Sequence, residues 1–307
     1  MNPQRVLVTG GSGLLGSYVV RALIEHCEVS VFDLKETTEP CRFIQGNVLD
    51  RPALAQALAN QDAVIHLAAL DAGIDATDSE FMRINVEGTW NLFDCAHLAG
   101  IEKVVQCSSV AALGIGRDHP PQNLPIDETH SASPTSAYGL SKLIGEQIAH
   151  RFAAQGMQVI CLRPTLVMQP EIIYDVAKMV AQSDGTPLPS PASHPQWRSL
   201  RETISGSRAF VDPRDAATAF RAAVQTPDVP FGIFYVSNPE TCSALPTLTL
   251  VEREFGIRPT VKDASLYASR VRASLYDIGP TVEQLGWHPI HHWDSILAEV
   301  LSTTERD

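Results

Sequence analysis

Short apolar runs alternate along the chain with longer segments in which apolar residues recur every three to four positions. The short runs predict buried strands and the periodic segments predict helices. The predicted strands cover 6–9, 29–32, 42–44, 63–69, 103–109 and 158–162, and the predicted helices cover 51–58, 85–99 and 138–154. Strands that alternate with helices predict an α/β fold built on a doubly wound parallel sheet.

The pattern is less regular in the second half of the chain. Strand signals at 208–211 and 233–236 flank a helical segment at 213–224. Four prolines between 186 and 195 predict a loop there.

A cluster of glycines joins the first predicted strand to the first helical segment. Residues 11–16 (GSGLLG) fit the pattern G-x-G-x-x-G, and Gly10 precedes them. Such glycines allow a sharp turn and a close approach of the backbone to a pyrophosphate. The helix that follows directs free N–H groups and the positive end of its dipole at the phosphates. The turn therefore predicts a dinucleotide site.

Asp33 ends the second predicted strand, 20 residues after Gly13. A carboxylate at this place can accept hydrogen bonds from the adenosine ribose hydroxyls, and it would repel a 2′-phosphate. It therefore favours NAD over NADP, although Lys35 lies nearby. The alternative is a solvated loop aspartate.

Composition limits the classes of partner. The chain has 307 residues and a formal net charge of −12, which argues against nucleic acid or an anionic membrane as the main partner. No apolar run has the length of a membrane span, and the first strand begins too early for a signal peptide. Six scattered cysteines form no C-x-x-C pair and indicate reduced thiols in the cytoplasm. The ten histidines lack metal-ligand spacing, so we expect no metal site.

Tyr138 and Lys142 lie four residues apart in a predicted helix, and this spacing places both side chains on one face. A nearby ammonium favours a phenolate, so we expect Lys142 to lower the pKa of Tyr138 and make it a general base or acid. Ser109 ends the fifth predicted strand, where its hydroxyl could stabilise charge that develops on a substrate oxygen. The alternatives are a surface helix pair and a serine that caps local backbone.

The motifs together resemble the extended short-chain dehydrogenase/reductase family, and more narrowly its NAD-dependent epimerase/dehydratase group. The resemblance rests on the glycine turn with Asp33, on Asn85 in NVEGT, and on the pairs Ser108-Ser109 and Tyr138/Lys142; a HLAA stretch at 66–69 adds to it. It implies a Rossmann-type NAD-binding domain over 1–165, to which 209–236 returns. It also implies a smaller C-terminal lobe that binds substrate, formed by 166–208 and 237–307.

The resemblance also implies roles for individual residues. The catalytic positions are Ser109, Tyr138 and Lys142, and Lys142 would also hold the nicotinamide ribose. The cofactor positions are Gly10, Gly13, Leu14, Leu15, Gly16, Asp33, Asn47, Val48, Ala68, Ala69, Asn85, Tyr138 and Lys142. The alternative for Asn85 is a helix N-cap. Family members commonly form homodimers through the helices that correspond to 85–99 and 138–154.

Two departures from the family concern the substrate. Where nucleotide-sugar enzymes of the family often carry Val-Tyr-Gly after the catalytic serine, this chain has Ala112-Leu113-Gly114. Leu166 replaces a substrate-contacting asparagine, and leucine cannot hydrogen-bond a diphosphate or a sugar hydroxyl. Arg208 points the other way, since it matches an arginine that often contacts a substrate phosphate. Its alternative is a surface salt bridge.

Three functions follow as hypotheses. The first is an NAD-dependent oxidoreductase acting on a secondary hydroxyl of a carbohydrate-like or sugar-acid substrate. The second is a nucleotide-sugar epimerase or related isomerase, which Arg208 favours and Leu166 disfavours. The third is a non-catalytic NAD-binding regulator, which would have no need of Ser109, Tyr138 and Lys142 together.

Overall fold

Seven parallel strands form the central sheet of the protein. A computed structural model describes residues 3–170, 172, 173, 176, 208–227 and 229–304. The sheet strands are β1 (Arg5–Thr9), β2 (Glu28–Asp33), β3 (Arg42–Gln45), β4 (Ala63–His66), β5 (Lys103–Cys107), β7 (Gln158–Pro164) and β10 (Phe231–Val236). Two short parallel pairs lie outside it: β6 (Asn123–Leu124) with β11 (Thr260–Val261), and β8 (Leu166–Val167) with β9 (Phe210–Val211).

The helices that follow the sheet strands pack on its two faces. They are α1 (Leu14–Leu23), α2 (Arg51–Leu58), α3 (Asp78–Phe81), α4 (Gly88–Leu98), α5 (Ala137–Ala153) and α6 (Pro213–Gln225). Four helices follow β10: α7 (Thr247–Phe255), α8 (Ala264–Ser269), α9 (Gly279–Leu285) and α10 (Trp293–Thr304). The predicted α/β class and doubly wound parallel sheet are confirmed. None of the helices in the described ranges has both the length and the apolar character that crossing a membrane requires.

Each face of the sheet has its own apolar core. Helices α1 and α6 cover one face, where Val20 and Phe220 are fully buried. Helices α2, α4 and α5 cover the other face, where Phe93 and Ala149 are fully buried. Because both faces are covered, the strands are continuous apolar runs rather than alternating ones.

The strand order reverses direction between β1 and β4. The chain moves from β1 to β2 and β3 on one side and then crosses to β4, β5 and β7 on the other. The connections leaving β1 and β4 therefore separate at the carboxyl edge of the sheet, and ligands of open α/β sheets bind in the crevice formed there. The glycine turn follows β1 at this edge.

The helix predicted to start at residue 85 starts earlier. Helical structure begins at Asp78, and the six residues Met82–Glu87 between α3 and α4 form a π-helical turn. Thr77 caps the helix, and its side chain and that of Glu80 bond each other's backbone N–H groups. This T-x-x-E capping box is readable in the sequence, so the start of the helix could have been found.

A third apolar cluster lies beyond β10 and joins α7 and α8 to β6, with Leu124, Val251 and Leu275 fully buried. The loop predicted at 186–195 lies outside the described residues.

Candidate active site

The glycine turn places backbone where a side chain would not fit. Gly10 has a φ of +73°, and a Cβ there would lie 2.6 Å from the backbone nitrogen of Ala68. A Cβ at Gly16 would lie 2.2 Å from the carbonyl oxygen of Gly10. Helix α1 begins directly after Gly13, which has no side chain to cap it. The turn is therefore shaped to present N–H groups of the first helical turn to an anion.

Asp33 lies beside this turn at the end of β2. Its carboxylate accepts hydrogen bonds from the backbone N–H of Ser12 at 3.0 Å and of Lys35 at 3.2 Å. The predicted alternative of a merely solvated aspartate is wrong, because the side chain is bonded to the glycine turn. Leu14 is 72% exposed at the start of α1, whereas Leu15 packs against the core under the turn.

Asn47 and Val48 follow β3 on the outer side of the crevice. The Asn47 side chain accepts a hydrogen bond from the backbone N–H of Leu49 at 3.0 Å, so it shapes its own turn. Val48 is buried against Gly88 of α4, and its carbonyl accepts a hydrogen bond from Asn91. The two residues thus form a fixed wall at the exit of β3.

Ala68, Ala69, Asn85 and Lys142 line one small cavity at the carboxyl edge. The predicted alternative that Asn85 caps a helix is wrong, because Asn85 lies inside the π-helical turn. Its side chain accepts from the Leu70 N–H at 2.7 Å, and it donates to the Leu70 carbonyl and the Ser141 hydroxyl at 3.0 Å each. Asn85 therefore ties the exit of β4 to α5, and π turns are frequent at functional sites.

A buried histidine at the end of β4 was not among the predicted site residues. His66 forms hydrogen bonds with the hydroxyl of Thr9 at 2.7 Å and with that of Thr89 at 3.1 Å. Burial, with a smaller contribution from the Lys142 charge, lowers the pKa of His66 to about 3. The imidazole is therefore neutral and links β1 to α4 across β4. The HLAA stretch of the sequence contains it.

Helix α5 carries Tyr138 and Lys142 on the face turned to the end of β5. The helix is capped by Ser136, whose hydroxyl accepts from the backbone N–H of Gly139 at 3.1 Å. Lys142 is buried; its ammonium donates to the Cys107 carbonyl at 3.0 Å and lies 5.6 Å from the centroid of the Tyr138 ring. Helix α5 and β5 thus hold the phenol and the ammonium close together.

Ser109 follows β5 and lies at the Tyr138 hydroxyl. Hydrogen bonding with Ser109 acts to lower the pKa of Tyr138. The Ser109 hydroxyl also accepts from the backbone N–H of Ala111 at 3.1 Å, which fixes its position. The alternative interpretation, that Ser109 caps local backbone, is therefore also correct. The structure brings Ser109, Tyr138 and Lys142 together.

The expectation that Lys142 lowers the pKa of Tyr138 is wrong for this structure. The pKa of Tyr138 is raised well above its usual value, first by burial and then by the negative charge of Asp71. Burial disfavours the phenolate, and the hydrogen bond between Asp71 and Tyr138 favours the protonated phenol further. Sequence reasoning missed Asp71 because it lies in the loop after β4, 67 positions before Tyr138, and no local motif marks it.

Leu166 lies in the short β8–β9 pair, and Arg208 lies just before β9. Leu166 is opposite Phe210 in the register, and Arg208 lies two residues before Phe210. Arg208 is 8% exposed, so the salt bridge given as its alternative is present, but at a buried rather than a surface position. Its guanidinium lies 3.8 Å from the carboxylate of Glu254, and its own φ is +50°.

The described part of the chain contains no group of three or more histidine, cysteine, aspartate or glutamate side chains that could hold a metal ion. The side chains that could carry out chemistry, Ser109, Tyr138 and Lys142, lie at the carboxyl edge of the sheet.

A model of the NAD dependent epimerase/dehydratase family matches residues 6–236, which is more than half of the chain. The chain belongs to this family. Membership confirms the predicted epimerase/dehydratase relationship, and this family is described as NAD dependent.

The curated relatives of this chain differ in the reactions that their names give. The chain is 28% identical over 185 residues to N-acetyl-alpha-D-glucosaminyl-diphospho-ditrans,octacis-undecaprenol 4-epimerase of Escherichia coli, covering 58% of this chain and 54% of the relative. It is 30% identical over 175 residues to 3 beta-hydroxysteroid dehydrogenase/Delta 5→4-isomerase of Vaccinia virus, covering 52% and 51%. The matched region thus spans about half the length of these curated relatives.

A solved structure has the same fold over nearly the whole chain. It is a short-chain dehydrogenase/reductase superfamily protein from Agrobacterium tumefaciens with bound NAD, with a TM-score of 0.73 and 22% identity. The likeness covers 98% of this chain and 97% of that protein, which confirms the Rossmann-type architecture.

We expect Gly16→Ala to weaken NAD binding, because the added methyl would displace α1 from the turn. Loss of one hydrogen bond to a charged group corresponds to about 1.5–3 kcal/mol, or roughly a tenfold to hundredfold higher Kd. Isothermal titration calorimetry with NAD measures it. Gly116→Ala is the matched control, since a Cβ there meets only the Gly114 carbonyl at 4.0 Å. Equal NAD affinity in both variants would contradict the assignment.

Asp71→Asn should lower the pKa of Tyr138, because it removes the carboxylate that favours the protonated phenol. The phenolate should then form at lower pH, by roughly 1 unit, which is the usual scale of such environmental shifts. Alkaline pH-jump absorbance of each protein, minus the same protein carrying Tyr138→Phe, isolates this tyrosine. Asp75→Asn in the same loop should leave the titration unchanged; an unchanged titration in Asp71→Asn as well would disprove the contact.

Proposed function

We propose that this protein is an NAD-dependent oxidoreductase that transfers a hydride at a secondary hydroxyl of a carbohydrate-like or sugar-acid substrate. The observation that carries the proposal is the convergence of Ser109, Tyr138 and Lys142 at the edge of the sheet that also holds the glycine turn. A fold that only bound NAD would have no use for a phenol, an ammonium and a hydroxyl at that one place. A non-catalytic regulator is for this reason the least favoured function.

The residues at the sheet edge fit NAD. The turn at Gly10, Gly13 and Gly16 is so tightly packed that only glycine backbone fits at Gly10 and Gly16, and α1 begins there. Asp33 would accept the adenosine ribose hydroxyls and favour NAD over NADP. Ala68, Ala69, Asn85 and Lys142 share a cavity on the side where the nicotinamide half would lie, while Asn47 and Val48 would border the adenine. Leu14 and Leu15 would present backbone to the pyrophosphate.

Bound NAD supplies a nicotinamide ring that accepts a hydride from carbon or returns it. In the oxidation direction Tyr138, as phenolate, takes the proton of the substrate hydroxyl; in the reduction direction its hydroxyl gives that proton back. Ser109 orients the reacting oxygen, and Lys142 would hold the nicotinamide ribose. The raised pKa of Tyr138 favours the protonated, donating form in this structure.

A nucleotide-sugar 4-epimerase is the alternative, because the same three residues could oxidise a sugar and reduce it again. The Escherichia coli relative is named as a 4-epimerase. Arg208 supports this alternative, since a guanidinium suits a phosphate. Leu166 at the adjacent strand pair opposes it, because it offers no hydrogen bond. We propose that 166–208 and 237–307 form the lobe that contacts substrate, and that 209–236 belongs to the NAD-binding domain.

Tyr138→Phe should lose turnover while it keeps its affinity for NAD, because it removes the proton donor and little volume. Loss of a positioned acid–base group costs about 10²- to 10⁴-fold in rate. The assay incubates the protein with NAD and panels of free sugars, sugar acids and nucleotide sugars, and follows NADH absorbance and product identity together.

Stoichiometric NADH supports the dehydrogenase, whereas an isomerised sugar without net NADH supports the epimerase. Tyr18→Phe on α1 is the matched control and should keep its activity. Near-normal turnover by Tyr138→Phe would refute the catalytic assignment. Tight NAD binding with no product from any panel would favour the regulator.

We also propose that the protein forms a homodimer through α4 and α5. An open groove between these helices carries Met82, Val86, Trp90, Ile144 and Ile148. Trp90 is 42% exposed there and lies beside the half-buried Met82, Val86 and Ile144, and an apolar patch of this kind suits an interface.

The six unpaired cysteines agree with a reducing compartment, and we propose the cytoplasm.

Trp90→Glu should convert the dimer into a monomer, because it places a charge in the apolar groove. Sedimentation velocity at micromolar concentration measures the change. The control is Leu248→Glu. Leu248 is an apolar residue of similar exposure on α7, outside the groove, so this change should leave the dimer intact. A wild-type protein that sediments as a monomer would refute this proposal.

A further inference from the structure

A buried ion pair lies one helical turn beyond Lys142. The two carboxylate oxygens of Glu146 on α5 accept hydrogen bonds from Nε and one terminal nitrogen of Arg163 on β7, each at 2.7 Å. The side chains are only 1% and 5% exposed. Two parallel bonds of this kind fix the direction as well as the distance of the partners.

The same carboxylate also bonds the residue next to Ser109. The hydroxyl of Ser108 donates to Glu146 at 2.5 Å, and the Ser108 backbone N–H donates to the Leu162 carbonyl at 2.7 Å. Glu146 therefore contacts, in one place, the end of β5 from which Ser109 extends and the end of β7.

Arg163 extends the network to the loop before α5. Its second terminal nitrogen donates to the Tyr235 hydroxyl on β10 at 3.2 Å, and that hydroxyl donates to the Asp127 carbonyl at 3.1 Å. The loop that contains Asp127 connects Ser109 to Tyr138. The network thus joins both ends of the segment that carries the proposed catalytic residues.

Helix geometry relates this network to catalysis. Tyr138, Lys142 and Glu146 are spaced by four residues and lie on one face of α5. Gly145 lets that face approach the sheet closely, since a Cβ there would lie 2.5 Å from the Gln106 side chain. A rotation or sliding of α5 would move Tyr138 and Lys142 relative to Ser109, and Glu146 is the anchor that opposes it.

Stability alone does not explain a buried ion pair. Removing two charges from water is costly, and apolar residues of similar volume are often as stabilising. We infer that the Glu146–Arg163 pair is a positioning device that fixes α5 so that Tyr138 and Lys142 meet Ser109, a role that rests on the proposed function.

Four variants test this role. Glu146→Gln removes the charge and keeps the shape, and Ser108→Ala removes one bond to Glu146. The double variant E146L/R163M replaces the pair by apolar residues, so that the protein still folds if the single variant does not. Asp215→Asn is the matched control: Asp215 is an equally buried carboxylate, but it bonds His291 and the backbone of Ile290 and His291, away from α5.

Thermal unfolding measures the general stability of each variant, and two further measurements address the site. The first is the Tyr138 titration by absorbance difference against the matching Tyr138→Phe protein. It reports on the groups that face this phenol, which are Asp71, Cys107, Ser109 and Lys142. The second is kcat, with the Kd for NAD, on the substrate that the panels yield.

In E146Q and E146L/R163M we expect the Tyr138 pKa to fall by roughly 1 unit toward its ordinary value of about 10, as the phenol becomes better solvated. We expect kcat to fall about 10- to 100-fold, since misplacement of reacting groups by an ångström has effects of that size. The Kd for NAD should change far less, because the glycine turn lies beyond the network. S108A should be intermediate, and D215N should lose only thermal stability.

The positioning role is overturned if E146L/R163M folds and keeps the wild-type Tyr138 titration. It is also overturned if D215N shifts the titration as much as E146Q does, because the effect would then be one of stability. The titration needs no substrate. A shifted titration in a protein that turns over nothing in the panels would refute the proposed function and leave the positioning role standing.

Discussion

The site depends on a close approach of backbone to backbone at the end of β1. Between Gly10 and Gly16 there is no room for a methyl group, and between Gly10 and Ala68 there is equally little. This contact sets α1 directly on the turn and brings the exit of β4 against it. Because parallel strands all end at the same edge, fixing these two exits also fixes the distance to the exits of β2 and β5. Asp33 and Ser109 take their positions from that constraint.

At that edge a neutral histidine connects the structural elements, and charged side chains lie near Tyr138. His66 is kept neutral by burial and holds three elements through two threonine hydroxyls. Lys142 is kept close to Tyr138 by a backbone carbonyl, so its charge does not depend on a carboxylate partner for its position. Asp71, in the loop after β4, adds a negative charge near the phenol. Burial and this charge both raise the pKa of Tyr138, and hydrogen bonding with Ser109 acts against them.

The sequence was sufficient for features with local causes. Apolar runs and periodic segments predicted every strand of the sheet, since burial on both faces leaves a continuous apolar signature. The glycine turn and Asp33 could be predicted because the spacing of the glycines and of the carboxylate is a local sequence pattern. The π turn around Asn85 was not predicted, because a change in helical pitch depends on contacts with Leu70 and Ser141 that are distant in sequence. The raised pKa of Tyr138 was missed because it depends on burial and on Asp71, and spacing within a helix reports neither.

The proposed substrate contact at Arg208 depends on how firmly its guanidinium is held. At 3.8 Å from Glu254, its guanidinium is in an ion pair but is too distant for a normal hydrogen bond to that carboxylate. A phosphate could therefore take this contact without breaking a strong bond. Leu166 in β8 cannot bind an anion in this way, since its side chain can only add apolar surface. A substrate that suits both residues would place an anionic group at Arg208 and an apolar or weakly polar edge at Leu166. This combination fits a sugar acid better than a sugar whose hydroxyls face Leu166.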